Sequence, residues 1–406
     1  MTQMSQLKTK QYNITFCILS ALAIIMVAAG HIGYPILTVG ELFPYYSFHV
    51  PLFMFISGYF YRESEEEQPL LYVKKKVLRL LVPYMVWNLI YGLMAWALRA
   101  AGFIMGEEVC LRTLFVEPFM HGHQFMYNFA AWFVPALFIV EMLNLCARLV
   151  LRCMMRLVRQ HRQSVCEESE QQADAVRKKY EIITEWIMLV GSLIVGMAVV
   201  WLAIGGHVWD NYRMPGRILF LFPGFQMGQF YKKVLERHDT LGNLPYFGIV
   251  IGIQVILNVC CKGLAFSSVW CSSFANGPVI PYMTIVSGIA FWLRVAKVVT
   301  PVAGENRAVR YLGRNTYAVM MHHVMAFMLV KMVIAAVASH TAYCPDFDFE
   351  KFHIDIGYFY LAGGAEGFAM VYLLAGIVLP LGLQYGLDRI KGSLTSRLGK
   401  CYNNCR

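Results

Sequence analysis

Ten apolar stretches recur along this chain, most of them near 20 residues long, at 14–33, 45–61, 80–98, 130–150, 186–204, 218–231, 244–260, 279–296, 316–338 and 368–387. A helix rises 1.5 Å per residue, so a run of about 20 residues crosses the roughly 30 Å hydrocarbon layer while bonding its own backbone. The stretches lack the alternating apolar and polar pattern of a membrane barrel. The expected fold class is therefore all-α: a polytopic transmembrane helix bundle of about ten spans. The sixth stretch is the weakest, because it is short, begins beside Arg217 and contains Pro223 and Gly224. Such a segment is kinked, re-entrant or shielded by its neighbours.

Composition agrees. The 406 residues are 58% hydrophobic and only 15% charged, whereas a soluble domain carries about 25% charged residues. The formal net charge is nevertheless +10. Basic residues that bind nucleic acid cluster with interleaved aromatics, but here they fall between the apolar runs. Sorted into alternate connections, 28 of the 35 lysines and arginines lie on one side. By the positive-inside rule that side is the cytoplasm, so both termini are expected there and the span count is even. The organisation that follows is a cytoplasmic tail at 1–13, a membrane domain at 14–388 with a charged loop at 152–182, and a basic cytoplasmic tail at 389–406. The first stretch exceeds a cleavable signal's apolar core and lacks its small-residue cleavage pattern. The expected location is a multi-pass protein of the cell membrane.

The eleven cysteines include no C-x-x-C pair, so neither a zinc ribbon nor a thioredoxin motif is signalled. Cys17, Cys146 and Cys260 read as small buried hydrophobes. Asp346, Asp348 and Glu350 sit in a loop lacking the glycine and terminal glutamate of a calcium site, and no metal is expected.

In so apolar a chain the ionisable residues within spans stand out, and such residues are functional candidates by default. His31 ends the first span and His49 begins the second, at similar depth. Imidazoles exchange protons near neutral pH, and Glu41 in the loop between them is a candidate orienter. An interfacial reading, with each ring reaching water, stands beside the catalytic one. Glu141 lies near the middle of the fourth span and must pair, take a proton or line a wet path. His322 and His323 lie in the ninth span, where adjacent residues point about 100° apart and so face different neighbours. By rise alone they sit roughly 10 Å above the cytoplasmic face, far from His31. Lys75, Arg79 and Arg314 belong to a basic collar on the cytoplasmic side, suited either to phosphates or to anchoring on anionic lipid.

These residues sit in a recognisable pattern. VAAGH ending at His31, FHVPLFMFISGY from Phe48 to Tyr59, KKVLRLLVPY from Lys75 to Tyr84, WFVPALF from Trp132 to Phe138 and YLGRNTY from Tyr311 to Tyr317 resemble the acyltransferase 3 family of integral-membrane O-acyltransferases, and more specifically its fucose 4-O-acetylase-like branch. The similarity runs from about residue 13 to 390. It implies a bundle of about ten helices that passes an acyl group, commonly acetyl from cytoplasmic acetyl-CoA, to a hydroxyl of a carbohydrate, lipid-linked sugar or other acceptor at the outer face. Acyl-CoA is then a donor substrate rather than a resident cofactor. The family's first-span histidine corresponds to His31, as general base; the branch's second histidine to His49; its Ser-Gly pair to Ser57 and Gly58; and its basic residue near the inner face to Arg79. Ser20 stands where many members carry arginine.

Such a reaction needs a base for the attacking hydroxyl and a donor for the oxyanion. Ser57, Tyr34 and Tyr59 are the hydroxyl candidates for that donor. The collar and the histidines are expected a full hydrocarbon thickness apart, about 30 Å. Two other functions fit the residues alone: a secondary transporter, suggested by Glu141 and the broken sixth span, and a non-catalytic ligand-sensing membrane domain, suggested by Ser20.

Overall fold

The computed structural model describes residues 13–33, 42–121, 125–163, 170–208 and 210–404. These are predominantly helical, the described part holding no β-structure beyond an isolated bridge between Ser267 and Ser272. The principal helices are α1 (Ile14–Ile32), α2 (His49–Tyr59), α3 (Pro69–Ala100), α4 (Phe133–Gln163), α5 (Glu170–Ile204), α6 (Arg213–Phe230), α7 (Asn243–Cys260), α8 (Ile280–Ala303), α9 (Arg307–Arg314), α10 (Thr316–His340) and α11 (Ala369–Asn404).

Eight helical segments among the described residues are long and apolar enough to cross a membrane. Eight of the ten expected stretches fall within them; the second and sixth do not. The second stretch yields α2, which has only 11 residues, and the sixth yields α6, whose 18 residues include Arg213, Arg217, Gln226 and Gln229. These two helices pack on each other, backbone to backbone. A β-carbon at Gly58 would overlap the Phe225 carbonyl, and one at Gly228 would overlap the Phe55 carbonyl. Gly224 and Gly228, four residues apart, form the small-residue seam that lets membrane helices approach closely. Most of both helices is buried, so their polar residues meet protein rather than lipid. That is why the hydropathy of α6 is low although it lies inside the bundle.

Local chemistry sets several boundaries. Asn13 caps α1 by accepting from the Phe16 amide, and Gly33 ends it in the left-handed conformation at φ 78°, as the two cap types favour. Within α3, Pro83 has no N–H to offer the Arg79 carbonyl, and the helix widens into a π turn at Val77–Leu81, where the Val82 amide bonds the Val77 carbonyl. At the start of α10, Gly313 of α9 lies on the Cys17 backbone of α1. Cys17 is buried as expected, but Cys146 and Cys260 are exposed. They sit on the outward faces of apolar helices, which hydropathy does not distinguish from the inward ones.

Candidate active site

His31 lies in the last turn of α1, one residue before its end. Its ring centroid is 5.1 Å from that of His323 and 4.8 Å from that of Phe129. His49 opens α2, with Nδ1 2.5 Å from the Tyr45 carbonyl; Nδ1 of His323 is 2.7 Å from the Val319 carbonyl. A carbonyl only accepts, so in both rings Nδ1 carries the hydrogen and Nε2 presents a lone pair. In His323 that Nε2 is buried with no partner. His31 and His49 line one cavity of about 40 Å³, together with Tyr46, Phe53, Trp132 and Ser268. Such a volume holds about one water-sized group.

The meeting of His31 and His323 corrects the depth expected for the ninth span. Because Gly313 seats α9 on α1 at Cys17, α10 starts inside the bundle rather than at its face, and counting rise from residue 316 underestimates its depth. The adjacent histidine diverges. His322 Nδ1 lies 2.9 Å from the Tyr91 hydroxyl and its ring 4.2 Å from Trp87, both on α3.

A second cavity, of about 470 Å³, opens at the basic end of the bundle. Asn13, Ser57, Lys75, Lys76, Arg79 and Glu141 are among its lining residues. Lys76 Nζ is 2.5 Å from Glu141 Oε1, and Glu141 is buried with Oε2 unpartnered. Lys75 pairs with Glu65 at 2.8 Å. Arg79, on the π turn, is exposed along the cavity wall with no ion pair among the described residues.

The two cavities are stacked along α2 and α4. His49 and Phe53 face the first and Ser57 the second; Phe133 faces the first, Leu137 and Glu141 the second. The Phe53 and Phe133 rings, 6.0 Å apart, stand at the junction. Eight residues separate His49 from Ser57, about 12 Å of helix. The expected 30 Å gap is therefore much reduced, because α2 is short and the basic cavity penetrates deep between α2 and α4.

Several expected residues lie elsewhere. Tyr34 and Glu41 are outside the described residues. Ser57 faces the basic cavity, and the Tyr59 hydroxyl bonds Glu236 at 2.8 Å and accepts from Asn13 at 3.2 Å. Neither reaches the histidine cavity, since both lie at the far end of α2. Arg314 ends α9 and is not among the residues lining the Arg79 cavity.

Sequence reasoning passed over Lys76 as the partner of Glu141. It also passed over Arg217, 2% exposed, whose guanidinium lies 4.9 Å from the Trp132 ring centre. A charge beside the weakest span was a usable signal for Arg217; nothing in the sequence singled out Ser268.

The sequence profile of an acyltransferase domain, acyltransferase 3, matches residues 18–378. The chain belongs to that acyltransferase family. Both cavities of this membrane acyltransferase are built almost wholly from the matched residues, Asn13 being the exception. No curated protein and no solved structure matches the chain.

Proposed function

We propose that this acyltransferase moves an acyl group, acetyl in the first instance, from acyl-CoA at the basic, cytoplasmic end to a hydroxyl of a carbohydrate or lipid-linked sugar at the opposite face, as in the fucose 4-O-acetylase-like branch. The observation that carries the reading is the stacking of a basic cavity on a histidine cavity along α2 and α4, with one aromatic pair between them. Arg79, Lys75 and Lys76 meet the donor's phosphates, while the thioester arm passes the Phe53 and Phe133 rings. His31 takes the proton of the acceptor hydroxyl as its oxygen adds to the thioester carbonyl; the C–S bond then breaks and the thiolate leaves with that proton. His49 and His323, each fixed by its Nδ1 hydrogen bond, position the base and the hydroxyl. Transport receives no added support, because Glu141 is held by Lys76 inside the basic cavity.

The test compares surface glycans and small metabolites from cells with and without the protein. Molecules heavier by one acyl group are expected only where the wild-type chain is present, and cells producing His31→Ala at equal membrane abundance should lack them. Full acylation by that variant removes His31 as the base.

A further inference from the structure

The segment between α7 and α8 folds back over the histidine cavity. Ser267 and Ser272 exchange backbone hydrogen bonds at 3.0 and 3.1 Å, and the turn between them contains Cys271 at φ 48°, with Ser273 beyond it at φ 66°. Non-glycine residues hold that left-handed conformation only where their surroundings impose it. Here the surroundings are explicit. Arg217 Nε donates to the Val269 carbonyl and Nη1 to the His121 carbonyl, while the guanidinium lies against the Trp132 ring. Arg213 lies 4.7 Å from the Trp270 ring centre, and the Phe266 amide reaches the Tyr46 carbonyl at 3.4 Å.

The residue this arrangement delivers to the cavity is Ser268. It is 3% exposed, it lines the cavity with His31 and His49, and its Oγ has no hydrogen-bond partner among the described residues. A buried hydroxyl left unpaired is unfavourable, and a hydroxyl can either donate to or accept from a group that enters the cavity. We propose that Ser268 is a catalytic residue whose Oγ–H donates to the acyl carbonyl oxygen as it becomes an oxyanion. It takes that role in place of Ser57 and Tyr59, which lie at the far end of α2. This inference rests on His31 acting as the base in the same cavity. In the step, the acceptor oxygen bonds the carbonyl carbon, His31 takes the proton, and the carbonyl π electrons move onto the oxygen facing Ser268. Collapse expels the thiolate, and Ser268 keeps its own proton throughout. Arg217 is a positioning residue, acting through the Val269 carbonyl on the register of the turn.

The test uses the purified full chain in lipid nanodiscs with acetyl-CoA as the probe and water as the acceptor, following release of free CoA thiol. Ser268→Ala is expected to lower kcat by about 10²–10³-fold, the effect of losing one oxyanion donor, with KM within about two-fold because the bond forms only in the transition state. Ser268→Thr, which retains the hydroxyl, should recover most of the rate. A merely structural serine would instead lower the thermal midpoint and leave kcat per folded molecule unchanged, and that result overturns the proposal. His31→Ala separates the two readings. If it abolishes turnover while Ser268→Ala does not, the oxyanion role alone fails. If His31→Ala keeps full turnover, or the wild type releases no CoA, the donor-and-base reading fails and this inference with it.

Discussion

The two cavities differ in nearly every physical respect although α2 and α4 contribute to both. The one at the histidine end is small and lined by rings; the one at the basic end is more than ten times larger and lined by four cations, Arg62, Lys75, Lys76 and Arg79, and by the buried carboxylate of Glu141. The difference maps onto what each would handle. Proton transfer to and from an imidazole works best where few waters compete, so that fixed donors act at low dielectric. Polyanionic phosphates need the reverse: a wide, wet, cationic mouth, in which charge attracts without fixing one geometry.

The largest effect expected from breaking this comparison separates two histidines, one in the cavity and one turned away from it. His31→Ala should reduce acyl transfer by about 10²–10⁴-fold, the contribution of a positioned general base. His322→Ala, which loses only its contacts to Tyr91 and Trp87 on α3, should stay within about ten-fold of wild type. Equal losses in the two variants would mean that His322 acts with His31 and that the cavity boundary is drawn in the wrong place. At the basic end the expected signature changes from rate to affinity. Arg79→Ala should raise KM for acetyl-CoA by about 10–100-fold, the size of a lost charge-assisted bond, while kcat changes little. The deficit should shrink at high salt, where the wild type also loses that attraction. An unchanged KM would return Arg79 to the role of a lipid anchor.

How much of this was legible beforehand follows from which physics each feature obeys. Eight of the long helices were visible because burial in lipid demands continuous apolar sequence, and hydropathy measures that directly. The α2 and α6 pair was visible as stretches but not as a pair. What holds it is the steric fit of Gly58 and Gly228 to opposing carbonyls, a property of two segments more than 150 residues apart. His31, His49 and Glu141 were conspicuous as ionisable exceptions. Their partners were not: the meeting of His31 with His323 depends on where α9 seats α10, and that of Glu141 with Lys76 on the depth of the π turn region of α3. Ser268 was illegible altogether, since a serine in a connecting segment is ordinary until the chain folds back.

The shared spine predicts a stability effect. Gly228→Leu forces a side chain into the Phe55 backbone, and overpacking of this kind costs roughly 1–3 kcal/mol or more. It should lower the thermal midpoint of the detergent-solubilised protein and reduce both donor binding and turnover, since α2 serves both cavities. Gly248→Leu on α7, where an added β-carbon meets nothing within 4 Å, is the matched control and should fall within about 0.5 kcal/mol of wild type. If the two behave alike, the α2 and α6 seam is not what holds the cavities in register.

The smallest effect tests whether the basic end contains two kinds of cation. Arg294 and Lys297 are committed to Asp239, which accepts from Arg294, from Lys297 Nζ at 2.6 Å and from the Tyr231 hydroxyl at 2.8 Å. Burial alone would raise the Asp239 carboxyl, but the hydrogen bonds from Lys297 and Tyr231 and the charges of Lys297 and Arg294 outweigh it and hold the group below its ordinary value. A carboxyl depressed in the folded state contributes stability that is fully present above its unfolded value, near pH 3.9, and is lost as pH falls through the lower folded value. Asp239→Asn should therefore lower the thermal midpoint at pH 7, and its deficit should narrow as pH falls below about 4, where the wild type too becomes neutral. KM for acetyl-CoA should not change. A raised KM instead would show that freeing Arg294 and Lys297 alters donor capture, and the distinction between paired structural cations and the unpaired Arg79 would fall.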